Sequence, residues 1–143
     1  MIASGTAVTA LGLAEYWVKP GFSPWFYGIG LAVGLASFAL RHQAARALGA
    51  YWSVQVEVRD CHPVVTSGPY ALMAHPIYTA AILELVGAIL VLRSWWALAG
   101  FALFFIPALW ARIRLEEAAM VKGCGLSYSN YLARTARLIP SVF

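Results

Sequence analysis

Charge is what this chain has least of: charged side chains make up 11% of its 143 residues, against about 25% in an average soluble domain. Cysteine is nearly absent as well, with only Cys61 and Cys124. Two isolated thiols with no CxxC spacing give neither a disulfide framework nor a metal-binding cysteine cluster. The chain has no internal repeat and no low-complexity tract, which removes solenoids and disordered linkers. What fills the space is apolar. Hydrophobic residues reach 62% and the mean hydropathy is +0.73, the composition of a chain whose solvent is lipid.

Four apolar segments, Ile2 to Val18, Trp25 to Leu40, Ile77 to Leu92 and Trp95 to Ala111, are each close to the ~17 to 25 residues that a bilayer requires. They predict an all-α, polytopic integral membrane protein with about four transmembrane helices plus short cytoplasmic interfacial helices. The first segment is read as a span and not as a cleaved leader, because it lacks a basic start and carries Glu15, Tyr16 and Trp17 where small residues are cut. Eight of the ten Lys and Arg residues fall after the second and fourth segments. Basic residues are held on the cytoplasmic side during insertion, so both termini and the central loop are expected there. The same bias accounts for the net charge of +4 through anionic lipid, with no need for nucleic acid.

A single domain over residues 1–143 is expected, divided into a hairpin of spans (1–40), a cytoplasmic loop (41–76), a second hairpin (77–111) and a C-terminal cytoplasmic segment (112–143). Gly30 and Gly34 on the second span have the small-xxx-small spacing that lets helices approach closely. From Arg41 to about Tyr51 an amphipathic piece should lie along the interface, and Ser53 to Val58 should be extended. Pro107 should disturb the fourth span by removing an intrahelical bond. Arg112 to Val121 continues with helical periodicity until Gly123-Cys124-Gly125, and Ser127 or Ser129 is the expected cap of a last short helix. The tryptophans Trp17, Trp25, Trp95, Trp96 and Trp110 sit at span ends, as interface anchors do. Glu84, inside the third span, is either functional or paired with a neighbouring helix.

The segment from His62 to Tyr78 carries prolines at 63, 69 and 76. Each removes a backbone donor and biases the preceding residue toward extended geometry, so this is irregular backbone at the start of a span. Such backbone is tolerated where protein or a wet cavity satisfies it, which makes it a candidate binding loop. The second charged cluster, Arg112-Ile113-Arg114-Leu115-Glu116-Glu117, emerges at the same face, with Arg112 and Glu116 one helical turn apart.

In order and spacing, Gln55, His62-Pro63-Val64-Val65, Tyr70, His75-Pro76-Ile77-Tyr78, Arg112 with Glu116, Gly125 with Tyr128 and Tyr131, and Arg137-Leu138-Ile139-Pro140 resemble the isoprenylcysteine carboxyl methyltransferases and the related phospholipid N-methyltransferases. The resemblance covers roughly residues 55 to 140. It implies an S-adenosylmethionine pocket lined by Gln55, His62, Pro63, Val64, Val65, Tyr70, His75, Pro76, Ile77, Tyr78 and Glu116, with Arg112 meeting the acceptor. One departure is Ala74, where many relatives have arginine before the second His-Pro. Another is that the chain is shorter than the eukaryotic enzymes of the family.

The residue types suit that chemistry. Tyrosine faces attract a sulfonium by cation–π contact. Glu116 can accept from an amino group or a ribose hydroxyl, and imidazoles and loop amides can donate to a carboxylate. A carboxylate acceptor needs no base and can be gripped by the guanidinium fork of Arg112, whereas an amine acceptor needs one, for which Glu117 or Glu116 stands ready. The expected partners are the bilayer and a lipophilic acceptor, with no metal. Competing readings are an amine or phospholipid N-methyltransferase, an NADPH-dependent membrane reductase and a non-catalytic membrane binding protein.

Overall fold

The computed structural model describes residues 2–18, 23–49 and 64–140, and among these every regular element is helical. The elements are α1 (Ile2–Val18), α2 (Pro24–Leu48), a short 3-10 turn (Gly68–Ala71), α3 (Pro76–Leu92), α4 (Trp95–Gly100), a π turn (Phe101–Phe105), α5 (Ile106–Cys124) and α6 (Leu126–Leu132). Two compact units are distinguished: Met1–Phe38 with Ala80–Arg112, and Ala39–Thr79 with Ile113–Phe143.

In the first unit, helices approach through glycine. A Cβ on Gly87 would lie 2.9 Å from the Gly30 carbonyl oxygen and 3.2 Å from the Gly34 nitrogen, so α2 and α3 meet backbone to backbone. Ser37 strengthens this seam by donating its hydroxyl to the Ala80 carbonyl at 2.9 Å, a buried bond that few apolar helices can offer. Glu15 on α1 accepts from the Ser94 hydroxyl at 2.5 Å and from the Trp96 backbone N–H at 3.0 Å. Ser94 in turn accepts from Ala97 N–H as the N-cap of α4. A carboxylate and a hydroxyl together thus satisfy donors that a helix start leaves open.

Helix α4, the π turn and α5 form one continuous helical run, Trp95–Cys124, of 30 residues. Among the described residues this is the helix long and apolar enough to cross a membrane, and Pro76–Leu92 is a shorter apolar helix. The disturbance expected at Pro107 falls just before it. Proline lacks the N–H that would close an α turn, and the chain shifts into a π turn in which Ile106 N–H bonds to Phe101 O. Large apolar side chains face outward. Trp17 is 83% exposed, Trp25 81%, Trp95 77% and Leu35 72%, a surface suited to lipid contact.

Two expectations are corrected. The second helix does not end at Leu40; α2 runs to Leu48, because Arg41 and Arg46 are good helix formers and mark a change of surroundings, not of backbone. The helical continuation expected from Arg112 to Val121 is present, within α5 (Ile106–Cys124). Neither Ser127 nor Ser129 caps α6: Gly125, at φ 58°, turns the chain directly into the helix, and the Ser129 hydroxyl bonds back to Gly125 O at 3.1 Å inside it. The extended piece expected at Ser53 to Val58 lies outside the described residues.

Candidate functional site

The second unit assembles a polar site from a turn, the start of α3, the middle of α5 and the C-terminal segment. Gly68 takes φ 59°, a conformation that glycine adopts without a Cβ penalty. Pro69 then opens the 3-10 turn, in which Leu72 N–H and Met73 N–H both bond to Pro69 O at 3.1 Å. The turn buries Tyr70. Its carbonyl accepts from the Tyr131 hydroxyl at 2.7 Å, so a residue of α6 holds the loop in place.

Past the turn the chain runs extended beside residues 136–138. Met73 and Ala136 form a parallel bridge, Ala74 N–H donates to Ala136 O at 2.7 Å and His75 N–H to Arg137 O at 3.0 Å. The Thr79 hydroxyl donates to Leu138 O at 2.7 Å. The C-terminal segment is thus a strap laced to the His-Pro step by backbone bonds. Pro76 begins α3, where a missing N–H costs nothing.

These constraints bring five side chains together. His75 and Tyr78, one turn apart, stack with ring centroids 5.6 Å apart. The Tyr78 hydroxyl donates to Glu116 Oε2. His75 Nε2 lies 3.2 Å from Glu117 Oε1, and Arg137 Nε donates to the same oxygen at 3.0 Å and to Oε2 at 3.4 Å. His75 is 4% and Glu117 7% exposed. Burial of a carboxylate is costly unless it is paired, and here each carboxylate has a donor.

Burial also pushes the tyrosine hydroxyls away from ionisation. Tyr70 and Tyr128 are raised well above the usual phenol range, first by burial and then by the negative charge of Glu116. Tyr131 is pushed up to about 12 by burial. At neutral pH all three are phenols, able to donate.

Of the residues singled out from the sequence, His75, Tyr78, Glu116 and Glu117 meet in this unit. Tyr70 and Pro76 are buried beside them in the chain, while Val64, Val65 and Ile77 are half-buried. Gln55, His62 and Pro63 lie outside the described residues. Arg112 is half-buried on α5 and belongs to the first unit. Two surface grooves, one of about 490 Å³ at Pro24, Trp25 and Gly28 and one of about 340 Å³ at Leu11, Glu15 and Trp96, contain none of these residues. Arg137 was not assigned a site role from the sequence. Its signal was the Arg-Leu-Ile-Pro run, but spacing alone does not bring a residue twenty positions beyond Glu117 back onto it.

Among the described residues the fold is all-helical, with one helical run long and apolar enough to cross a membrane. The profile of the isoprenylcysteine carboxyl methyltransferase (ICMT) family matches residues 29–122, and the chain belongs to that family. It is 36% identical over 98 residues, 68% of its length and 58% of the other's, to the uncharacterized protein YpbQ of Bacillus subtilis. It is 26% identical to the protein-S-isoprenylcysteine O-methyltransferase of Tribolium castaneum, covering 90% of this chain and 48% of that enzyme. The Xenopus laevis enzyme of the same name is 29% identical, with 82% and 42% covered. The solved structure of the eukaryotic intramembrane Ras methyltransferase ICMT superposes with a TM-score of 0.80 at 23% identity, over 99% of this chain and 52% of that one. The fold is therefore the ICMT fold, and the chain spans about half the length of these relatives.

Proposed function

We propose that the protein is an S-adenosylmethionine-dependent membrane methyltransferase whose acceptor is a lipophilic carboxylate of the isoprenylcysteine type. Family membership supports the reaction class. The observation that carries the reading is the junction of the His75–Tyr78 segment with Glu116, residues that the resemblance assigns to one cofactor pocket. The donor set suits the group: an aromatic face at Tyr78, an acceptor carboxylate at Glu116 and an imidazole at His75. When bound, S-adenosylmethionine supplies a methyl group activated by its sulfonium.

The chain's own part is to bind, orient and keep water out, since methyl transfer is an in-line displacement governed by alignment. Tyr78 holds the Glu116 carboxylate in one orientation. The resemblance assigns Val64, Val65, Tyr70, Pro76 and Ile77 to the lining of the site, and Gln55, His62 and Pro63, outside the described residues, to the same pocket. Arg112 grips the acceptor carboxylate with its fork. Glu117 is engaged by both His75 and Arg137, and a carboxylate so engaged is a holder of neighbours and a poor free base. This favours a carboxylate acceptor, which needs no base, over an amine acceptor.

The membrane arrangement we infer has four spans, from α1, α2, α3 and the Trp95–Cys124 run, with both termini and the site cytoplasmic. The outward tryptophans and the basic residues support it. The deciding experiment uses the purified protein in detergent. Calorimetry should show binding of S-adenosylhomocysteine and none of NADPH, and methyl-labelled S-adenosylmethionine should label a prenylcysteine analogue with a free carboxylate. Binding of NADPH without S-adenosylhomocysteine would replace the reading with a reductase.

A further inference from the structure

His75 has a 3%-exposed side chain, yet its ring makes a single hydrogen bond among the described residues, through Nε2 to Glu117. An ionised carboxylate has lone pairs and no proton to give, so Nε2 carries the hydrogen. In a neutral imidazole the other nitrogen, Nδ1, is then an acceptor. No described residue donates to Nδ1.

What holds Glu117 in place to set this tautomer is Arg137. Its guanidinium is always charged, and its Nε spans both carboxylate oxygens at 3.0 and 3.4 Å. The backbone puts it there: the Arg137 carbonyl accepts from His75 N–H at 3.0 Å, the preceding carbonyl from Ala74 N–H at 2.7 Å, and the following one from the Thr79 hydroxyl. The residue that carries the guanidinium is thus tied by its own carbonyl to the residue whose ring it governs. A charged group at one remove from a ligand commonly fixes the tautomer of a functional histidine, as a carboxylate does behind a metal-bound imidazole.

We propose that Arg137 is a positioning residue. By clamping Glu117 it fixes His75 as the Nε2–H tautomer, so that Nδ1 offers a lone pair to an N–H or O–H donor of the bound molecule. On the methyltransferase reading, on which the ligand part of this inference rests, His75 pairs with a donor group of the cofactor and not with its carboxylate. That differs from the role an imidazole at this position would otherwise be given.

The test is long-range proton–nitrogen correlation NMR of the full chain in detergent, with nitrogen-labelled histidine and the His75 signals assigned by their loss in His75→Asn. At a pH where the ring is neutral, the ligand-free wild type should carry its hydrogen on Nε2. Arg137→Lys should retain that signature, and Arg137→Gln should lose it. Thr79→Val, which cuts the strap's bond to Leu138 without touching a charge, should leave it intact. S-adenosylhomocysteine affinity should fall roughly tenfold in Arg137→Gln, about 1.4 kcal/mol, and recover in Arg137→Lys. Hydrogen on Nδ1 in the wild type overturns the proposal, as does an unchanged ring in Arg137→Gln or the same loss in Thr79→Val. Because the tautomer is read without ligand, a protein that shows it yet binds no S-adenosylhomocysteine refutes the methyltransferase reading and leaves the clamp standing.

Discussion

Tyr78 and Glu116 are joined by a hydrogen bond from phenol to carboxylate across 38 positions of sequence, and the bond makes one unit of the His-Pro segment and α5. Tyr78→Phe should keep the ring stacked on His75 and remove only the hydroxyl. Hydrogen bonds to charged groups contribute about 1.5–3 kcal/mol, so S-adenosylhomocysteine should bind roughly tenfold or more weakly by calorimetry. Tyr78→Leu removes the aromatic face too and should weaken binding further. Equal affinity of Tyr78→Phe and wild type would mean that Glu116 is oriented by something else.

The glycine seam of the first unit predicts an asymmetry. In Gly87→Ala the new methyl would meet backbone atoms at 2.9 and 3.2 Å, and in Gly30→Ala it would meet the Gly87 carbonyl oxygen at 2.8 Å. Backbone cannot turn aside as a side chain can, so each should cost about 1–3 kcal/mol through overpacking. Gly28→Ala and Gly34→Ala place the methyl in open space and should leave the thermal unfolding midpoint in detergent within a few degrees of wild type. Equal losses at all four positions would show that helix propensity and not close approach governs.

How far the site could be read from sequence follows from where its bonds run. His75, Tyr78, Glu116 and Glu117 were legible because chemistry-bearing residues are rare in so apolar a chain, and two clusters of them at one expected membrane face invited pairing. Arg137 was not, because its role depends on a strap that pairs with residues 73–75 by backbone bonds, for which side-chain spacing gives no sign. The end of the second helix was misplaced at Leu40 for a related reason. A change from apolar to charged residues marks where lipid ends, and a helix is indifferent to that border. Ala74, before the second His-Pro, is buried at 6% exposure and its N–H is bonded to the strap at Ala136 O.

The raised tyrosines predict a pH dependence with a definite sign. In the unfolded chain a phenol loses its proton near pH 10, whereas Tyr131 in the fold holds it to about 12. Below pH 10 both states keep the proton and stability is unaffected. Between those values the unfolded state releases it first, so stability falls as pH rises. The unfolding midpoint should therefore drop above about pH 10, and Tyr131→Phe should flatten that drop while lowering stability at neutral pH by loss of the bond to Tyr70 O. Phenolate absorbance at the same pH values identifies the groups responsible; full ionisation of every tyrosine near pH 10 in the folded protein would contradict the assignment.

Arg112 and Glu116 share α5 but should answer to different molecules. Arg112→Ala should leave S-adenosylhomocysteine affinity nearly unchanged and reduce methyl transfer to a carboxylate acceptor, because a lost charge-assisted grip misplaces the nucleophile. A loss of several kcal/mol corresponds to about 10²-fold or more in rate. Glu116→Gln should do the reverse, weakening the cofactor first. Arg112→Lys is the informative variant, since it keeps the charge and discards the planar fork; it should recover little activity if two parallel bonds hold the acceptor. Single-turnover rates and calorimetry on the same preparations separate binding from transfer. If Arg112→Ala and Glu116→Gln weaken cofactor binding alike while Arg112→Lys turns over normally, Arg112 belongs to the cofactor's site and the acceptor is held by another group.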